Sequence, residues 1–425
     1  MSQRNTWQPA FIVWLMILLT AVGLAAPTVQ AASNAPDIPI AARSGVVFDL
    51  TSGKILAAKD DKTAYPLASL TKIMSLYLIR EAISHGRLQW DETVTPNAAE
   101  IKLSQDTALS NVPLASKPYT VKELYDAGWI YSANVAVMLL GNKLAGSQKA
   151  FIQEMQNHLH EWGIRDAAIY TTSGLNNSLI PESLRVADTP ADGENKMSAA
   201  DIGVVVRHLL TDYPAVLQDT AVVHRNFAVT ATQNFAMTNW NALLTGNSLA
   251  QSDLPIDGLK TGTSDLAGQC LVATMPWRGR RLVSVVMHAD GAVTDNNKRF
   301  TATAALLRTV VQQWQPVTLT AKNTQSQRVK VTDGKQATVP LQLSQSVVGW
   351  QRNGILVTPV AAVPKKLSLT APVTKGKQVA SISLQNDALG YLPGVKQANV
   401  SLAPTKNVAE LNVIERFFAW LGQLF

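Results

Sequence analysis

A single cysteine, Cys270, is all that 425 residues provide. No intramolecular disulfide can form, so packing alone must hold the fold. Cys270 has no cysteine partner and no histidine-rich neighbourhood, so it is expected to be a buried structural thiol. Neither a metal nor a cofactor is expected. Long apolar runs are also scarce. The run from Phe11 to Leu24 is about fourteen residues, short of the roughly twenty that a membrane-spanning helix needs. Glutamate is absent from residues 317–405, where ten Lys and Arg face two Asp, a local balance of +8 in a chain of +7. The basicity therefore belongs to that stretch. Without a binding motif it does not indicate nucleic acid; beside a membrane it suits anionic lipid or wall polymer.

The ends carry the next signals. Arg4 is the only charge before the apolar run, and Val29-Gln30-Ala31 offers small residues at a cleavage site. Residues 1–31 are thus expected to be a signal peptide, cut after Ala31 or Ala32. That puts the mature chain outside the cytoplasm, at the outer face of a bacterial cytoplasmic membrane or in the wall. From Asn407 to Phe425, Leu411, Ile414, Phe417, Phe418, Leu421 and Leu424 recur at three- and four-residue spacings, with Glu410, Asn412, Glu415, Arg416 and Gln423 taking the other side. This predicts an amphipathic helix, too charged to span and suited to lying on a membrane surface, after a linker at Ala403-Pro404-Thr405.

Between the ends, Ser44–Leu50 and Lys54–Ala58 predict a hairpin. Helices are expected near Ser69–Gly86, Thr120–Gly146 with a break at Tyr131–Asn134, Gln148–Trp162 and Ser198–Leu210. Strands return as a short Gly258–Thr261, then Gln269–Met275 and Arg281–His288, and a helix spans about Asn297 to Trp314. Strands, many helices, strands, helix: that order predicts an α/β unit with a mixed sheet and a helical insertion. From Pro316 short Val/Thr/Leu/Ser runs broken by Asp333-Gly334 and Asn353-Gly354 predict a small all-β domain. The expected division is 1–31 leader, 32–315 catalytic domain, 316–405 β domain and 406–425 terminal helix.

The chemistry starts at Pro66-Leu67-Ala68-Ser69-Leu70-Thr71-Lys72, a loop feeding a helix. Ser69 and Lys72 are three apart and share a helix face. The following Ile73, Met74, Leu76, Tyr77, Leu78 and Ile79 are apolar nearly all round, as in a buried helix. A lysine at the edge of that core loses solvation, its pKa falls, and the neutral amine can take the serine proton. Ser-x-x-Lys alone is a weak pattern. Ser132-Ala133-Asn134 at the helix break adds a hydroxyl and an amide, and Lys260-Thr261-Gly262 on a strand, followed by Thr263, adds a cation and further hydroxyls. Those three motifs in that order are shared by class A β-lactamases and penicillin-binding proteins.

The chain resembles the low-molecular-weight penicillin-binding proteins, the serine-type D-alanyl-D-alanine carboxypeptidases. Asn239-Trp240-Asn241-Ala242-Leu243-Leu244, Asp257–Thr263 and Ala267-Gly268 add to the resemblance, as does the layout of leader, catalytic domain, β domain and amphipathic tail. Ala133 departs from the glycine often found in the second motif. The resemblance implies a β-lactamase/transpeptidase-like fold and removal of the terminal D-alanine from peptidoglycan stem pentapeptides, with β-lactams as covalent inhibitors. It implies Ser69 as nucleophile, Lys72 as proton acceptor and Ser132 as proton relay to the leaving amine. Asn134, Lys260, Thr261, Gly262 and Thr263 would hold substrate, with backbone N–H groups of Ser69 and Thr263 as oxyanion donors. A class A β-lactamase would need a Glu-x-x-x-Asn stretch, and none lies between Asn134 and Lys260. A D,D-endopeptidase of crosslinks shares the same residues. A catalytically silent wall-binding protein fits the β domain and tail, but not the intact motifs.

Overall fold

The structure, a computed structural model, describes residues 38–291, 295, 297–385 and 387–421. The expected leader at 1–31 lies outside the described residues, as do positions 422–425. The chain opens with β1 (Ala42–Asp49) and β2 (Ile55–Lys59). A largely helical stretch follows, with α1 (Thr71–Ser84), α2 (Val121–Ile130), α3 (Asn134–Ala145), α4 (Gln148–Glu161) and α5 (Ala199–Asp212). Then come β3 (Gly258–Ser264), β4 (Gly268–Trp277), β5 (Arg280–Ala289) and α6 (Lys298–Gln313). The five strands form one antiparallel sheet in the order β2-β1-β5-β4-β3. The first and last segments of the catalytic domain therefore meet in one sheet, and the helices are an insertion between them.

Side chains alternate across a strand. On β5, Val283, Val285 and Met287 join the core under the inserted helices, while Leu282 and Val286 face α6. Both faces are covered, which is why β5 reads as a nearly continuous apolar run. Helix α1 is buried along nearly its whole length, from Thr71 through Ile79. Its all-round apolar sequence has that physical meaning: it runs through the core and can bring a polar group to the core's edge. Strand β3 is an edge strand and is longer than the four residues expected, extending to Ser264. Cys270 on β4 is buried and free.

The β domain begins with β6 (Trp314–Leu319). It continues through β7 (Gln327–Thr332), β8 (Thr338–Leu343), β9 (Val347–Arg352), β10 (Ile355–Leu356), β11 (Ser368–Thr370), β12 (Ala380–Ser383) and β13 (Asn399–Pro404). Two sheets result, β6-β9-β10 and β11-β7-β8-β13-β12. Ala403 and Pro404 are buried at the end of β13, so the expected linker at 403–405 is strand for its first two residues. The next residues also dock: Val408 is buried and exchanges backbone hydrogen bonds with Val373, and Gly334 bridges Glu410. Helix α7 (Val413–Leu421) starts later than expected for this reason. Its apolar side chains stand in solvent, with Val413 at 84% and Phe418 at 65% exposure. No helix among the described residues is long and apolar enough to cross a membrane.

The β domain meets the catalytic domain twice. Trp314, Trp350 and Val357 complete the core that packs α6 against the sheet. Separately, residues 387–395 reach back: Leu392 enters the core beneath the helices, and Lys54 is fully buried with its Nζ 2.8 Å from Asp387 Oδ1, 2.6 Å from Ile55 O and 3.1 Å from Gly390 O. Removing one member of a buried ion pair leaves the other uncompensated and costs roughly 3–5 kcal/mol, whereas replacing both with apolar groups is often neutral. Asp387→Ala is therefore expected to lower the unfolding free energy by that amount, and Lys54→Met added to it should restore most of the loss. Urea unfolding of the two variants measures this; a single variant costing under about 1 kcal/mol would show that the pair does not hold the junction.

Candidate active site

Ser69 lies in a single 3-10 turn, Ala68–Leu70, that continues into α1. Ala68 has φ +45°, a left-handed conformation uncommon for a residue with a side chain. Two neighbours lie against this turn. A Cβ on Gly174, itself at φ +76°, would sit 1.9 Å from Ala68 O. A Cβ on Gly262 would sit 2.8 Å from Leu67 O and 3.3 Å from Leu70 N. The glycine of the Lys-Thr-Gly motif is thus required by the close approach of β3 to the serine's turn.

Lys72, the second residue of α1, is 0% exposed. Its Nζ is 2.9 Å from Ser69 Oγ, 2.5 Å from Asn134 Oδ1 and 2.7 Å from Ser173 O. None of these is a carboxylate. Burial, aided by the charge of Lys260, holds the amine well below its ordinary range. A neutral amine has two N–H bonds and one lone pair. The Asn134 amide oxygen and the Ser173 carbonyl can only accept, so they take the two N–H groups and leave the lone pair to the Ser69 hydroxyl hydrogen. Asn134 is fixed from its other end, because its Nδ2 donates to Leu109 O.

Ser132 joins α2 to α3 with φ +62°, a strained setting that costs on the order of 1–3 kcal/mol. It is held by its neighbours: Ala133 N donates to Ala127 O and Asn134 N to Ser110 O, both at 3.0 Å. The Ser132 hydroxyl is buried and has no hydrogen-bond partner among the described residues. Lys260, Thr261, Gly262 and Thr263 follow one another along β3. Lys260 is 2% exposed, and its Nζ donates to Thr261 O at 3.1 Å. Burial, and then the charge of Arg299, push Lys260 down to about 7.

Three contributors were not evident from sequence. Arg299, on α6, donates to Gly262 O at 2.8 Å, Cys270 O at 3.3 Å and Thr263 Oγ1 at 2.7 Å, fixing the strand that carries the third motif. Burial lowers Arg299 only to about 10, so it keeps its charge at neutral pH. Ser173 contributes a carbonyl, and the small-residue run Thr171-Thr172-Ser173-Gly174 is its only trace in the sequence. Asn195 secures that loop: its Nδ2 donates to Thr171 O at 2.7 Å and Thr71 Oγ1 at 3.1 Å, and its Oδ1 accepts from the N–H groups of Tyr170 and Thr171. Of the residues singled out from the sequence, Ser69, Lys72 and Asn134 are directly bonded. Gly262 lies against their turn, Lys260 acts on Lys72 through its charge, and Ser132 precedes Asn134 by two residues.

A serine whose proton faces a desolvated amine, beside the open edge of an antiparallel sheet with a helical insertion, defines a serine hydrolase of the β-lactamase/transpeptidase-like fold. The comparisons with known proteins agree. The D-alanyl-D-alanine carboxypeptidase profile, Peptidase_S11, matches residues 28–291, and the profile of the penicillin-binding protein 5 C-terminal domain matches residues 314–408. D-alanyl-D-alanine carboxypeptidase DacC of Escherichia coli (strain K12) is 27% identical over 409 residues, 95% of each chain. The crystal structure of a peptidoglycan synthesis regulatory factor (PBP3) from Streptococcus pneumoniae has a TM-score of 0.71 at 31% identity, covering 87% of this chain and 99% of that one. Penicillin-binding protein D2 from Listeria monocytogenes, solved with ampicillin bound, has a TM-score of 0.52 at 27% identity, over 65% of this chain and 100% of that one. The chain belongs to the D-alanyl-D-alanine carboxypeptidase family and is a low-molecular-weight penicillin-binding protein, a serine-type peptidase.

The two lysines predict a pH profile. With Lys72 as the proton acceptor that the resemblance implies, the amine must be neutral, so activity is expected to rise as pH passes upward through its lowered pKa. With Lys260 as the residue that attracts the substrate carboxylate, as the resemblance implies, it must be charged, so kcat/KM is expected to fall as pH rises through about 7. Removing a neighbouring positive charge raises a lysine pKa. A folded Arg299→Met variant should therefore show the descending limb at higher pH, and a limb that stays or moves lower would rule out Lys260 as its source.

Proposed function

We propose that the chain is an exported carboxypeptidase that removes the terminal D-alanine of peptidoglycan stem pentapeptides through an acyl-enzyme on Ser69. The observation that carries this reading is the hydrogen-bonding of Lys72, whose partners leave its lone pair for the Ser69 hydroxyl. In the proposed sequence, Lys72 takes the Ser69 proton and Ser69 Oγ attacks the carbonyl between the two D-alanines. The oxyanion is met by the backbone N–H groups of Ser69 and Thr263. The proton passes from Lys72 through the Ser132 hydroxyl to the leaving amine, and D-alanine departs. Water then cleaves the ester, with Lys72 again as base. Asn134 holds the substrate peptide as well as Lys72. Lys260, Thr261, Gly262 and Thr263 line the edge strand along which the peptide lies, with Lys260 attracting the terminal carboxylate.

β-Lactams present the same carbonyl and carboxylate and would trap Ser69 as a stable ester. Residues 1–31 are read as the export signal, 32–315 as the catalytic domain, 316–405 as the β domain and 406–425 as the membrane-surface attachment. The aromatic side chains that α7 holds in solvent support the last assignment: Phe417, Phe418 and Trp420 are all more than half exposed. The assembled lysine–serine contact counts against a silent wall-binding protein.

Two measurements test this. The wild-type chain should be labelled by a fluorescent penicillin and release D-alanine from a pentapeptide, and Ser69→Ala should abolish both; residual release in the variant would remove Ser69 from the mechanism. Deleting residues 413–425 should move the protein from the membrane fraction to the supernatant, and a truncated form that still sediments with membranes would disprove attachment by α7.

A further inference from the structure

Glu194 is a carboxylate with only 4% exposure, and no step described above uses it. Its hydrogen bonds tie it to both walls of the serine site. On one side, Ser264, the last residue of β3, donates its hydroxyl to Glu194 Oε2 at 2.8 Å. On the other, Asn176, three residues past Ser173, donates its Nδ2 to Glu194 Oε1 at 3.2 Å. The next residue in the chain, Asn195, accepts through its carbonyl from Leu67 N at 2.9 Å, two residues before Ser69. Glu194 thus stands beside the serine's turn, in the corner between the Ser173 loop and the end of the edge strand. Both of its side-chain donors are neutral, and no ion pair among the described residues includes it. Arg299 serves β3 through Gly262 O, Cys270 O and Thr263 Oγ1 and makes no bond to Glu194. A carboxylate offers about four lone-pair positions, so two are left over. A buried negative charge without a cation is costly, and a cation brought in by a ligand relieves that cost.

The position of Glu194 along the site follows from β3. Side chains two apart on a strand share a face. Lys260, Gly262 and Ser264 therefore line the same side of β3, the side on which Gly262 meets the serine's turn. Lys260 and Ser264 are about 13 Å apart along the strand. Given the proposed roles of Lys260 and Thr263, the terminal carboxylate of a substrate lies toward Lys260 and the acyl side continues past Thr263 to Ser264. The side chain that reaches Glu194 then belongs to the residue preceding the D-alanine that acylates Ser69. This is the end of the site away from the substrate carboxylate, so a negative charge here does not oppose that group. Asp265, exposed in the turn after Ser264, adds a second negative charge at the same end.

We propose that Glu194 is a specificity residue that selects stem peptides whose residue before the two D-alanines carries a free side-chain ammonium. The inference deepens the carboxypeptidase reading above and rests on it. Glu194 does not touch the reacting atoms, and the ester forms and breaks as already described. It acts on the charge three bonds or more from them, in a setting where little water screens the attraction. Acylation of that amine removes the charge. Stems whose side-chain amine is already engaged in an amide bond are therefore poorer substrates for this site than stems whose amine is free.

The test uses two pentapeptides that differ only in whether the side-chain amine before the two D-alanines is free or acetylated. D-alanine release is measured as kcat/KM for each, with the full chain, Glu194→Gln and Glu194→Asp. Glutamine can keep both hydrogen bonds, with its oxygen accepting from Asn176 and its nitrogen donating to the Ser264 hydroxyl, so it removes the charge and not the clasp. Stoichiometric labelling by a fluorescent penicillin checks that each protein has an assembled site. The wild-type chain should prefer the free amine by about tenfold, the low end for a contact with a charged group. Glu194→Gln should bring the ratio close to one, and Glu194→Asp should retain part of the preference. A labelled wild-type chain that treats the two peptides alike overturns this inference alone. So does a labelled Glu194→Gln that keeps the wild-type ratio, even where both rates fall together. A wild-type chain that is not labelled and releases D-alanine from neither peptide overturns the function on which the inference rests.

Discussion

A lysine ammonium removed from water without a carboxylate beside it is among the more costly groups a core can hold. Lys72 is such a group, and the surrounding architecture is what makes its burial possible. The helix that carries it is apolar on every side, so its first turn is drawn into the interior along with the rest. Its polar contacts are an amide oxygen, a carbonyl and a hydroxyl, none carrying a formal charge. They can satisfy an amine but not stabilise an ammonium as a carboxylate would. In the proposed mechanism this keeps a base at low proton affinity without placing an anion near a substrate that is itself anionic.

That arrangement tolerates little displacement, and the backbone around it is correspondingly constrained. Ala68 and Ser132 both take left-handed conformations that their side chains disfavour. Gly174 and Gly262 let two other segments touch the serine's turn, closer than a methyl group would permit. Arg299 then ties the edge strand to α6 from behind, and Asn195 ties the Ser173 loop to the start of α1. Strain at the centre is held by hydrogen bonds at the periphery.

Much of this was legible in the sequence because periodicity and side-chain chemistry carry it. The apolar surround of α1, the break before Asn134, the paired strands β4 and β5 and the basic β region all announce themselves by residue type. What stayed hidden acts through backbone or across long separations. Ser173 contributes a carbonyl, which every residue has, so its role leaves no signature. Arg299 is 36 residues from Thr263, whose hydroxyl it contacts, and reads locally as one polar position on an amphipathic helix. Pro404 was expected in a linker but is the last residue of β13, two beyond the stretch of that strand paired with β12, where a missing N–H interrupts no ladder. Residues 408–411 carry an apolar pattern that continues into α7, yet Val408 is used up against Val373, so the helix could begin only after the chain left the β domain.

The return of residues 387–395 to the catalytic domain bears on mechanics. A β domain attached only through the end of α6 would swing on that single joint. Here a second fastening, with Lys54 sealed over Asp387 and Leu392 set into the core, turns the joint into a braced strut. Whatever grips α7, the serine is then carried at a fixed reach from it. With α7 on a membrane surface, as proposed, the depth of wall within which bonds could be cut would be set by the length of the strut rather than by the swing of a tether.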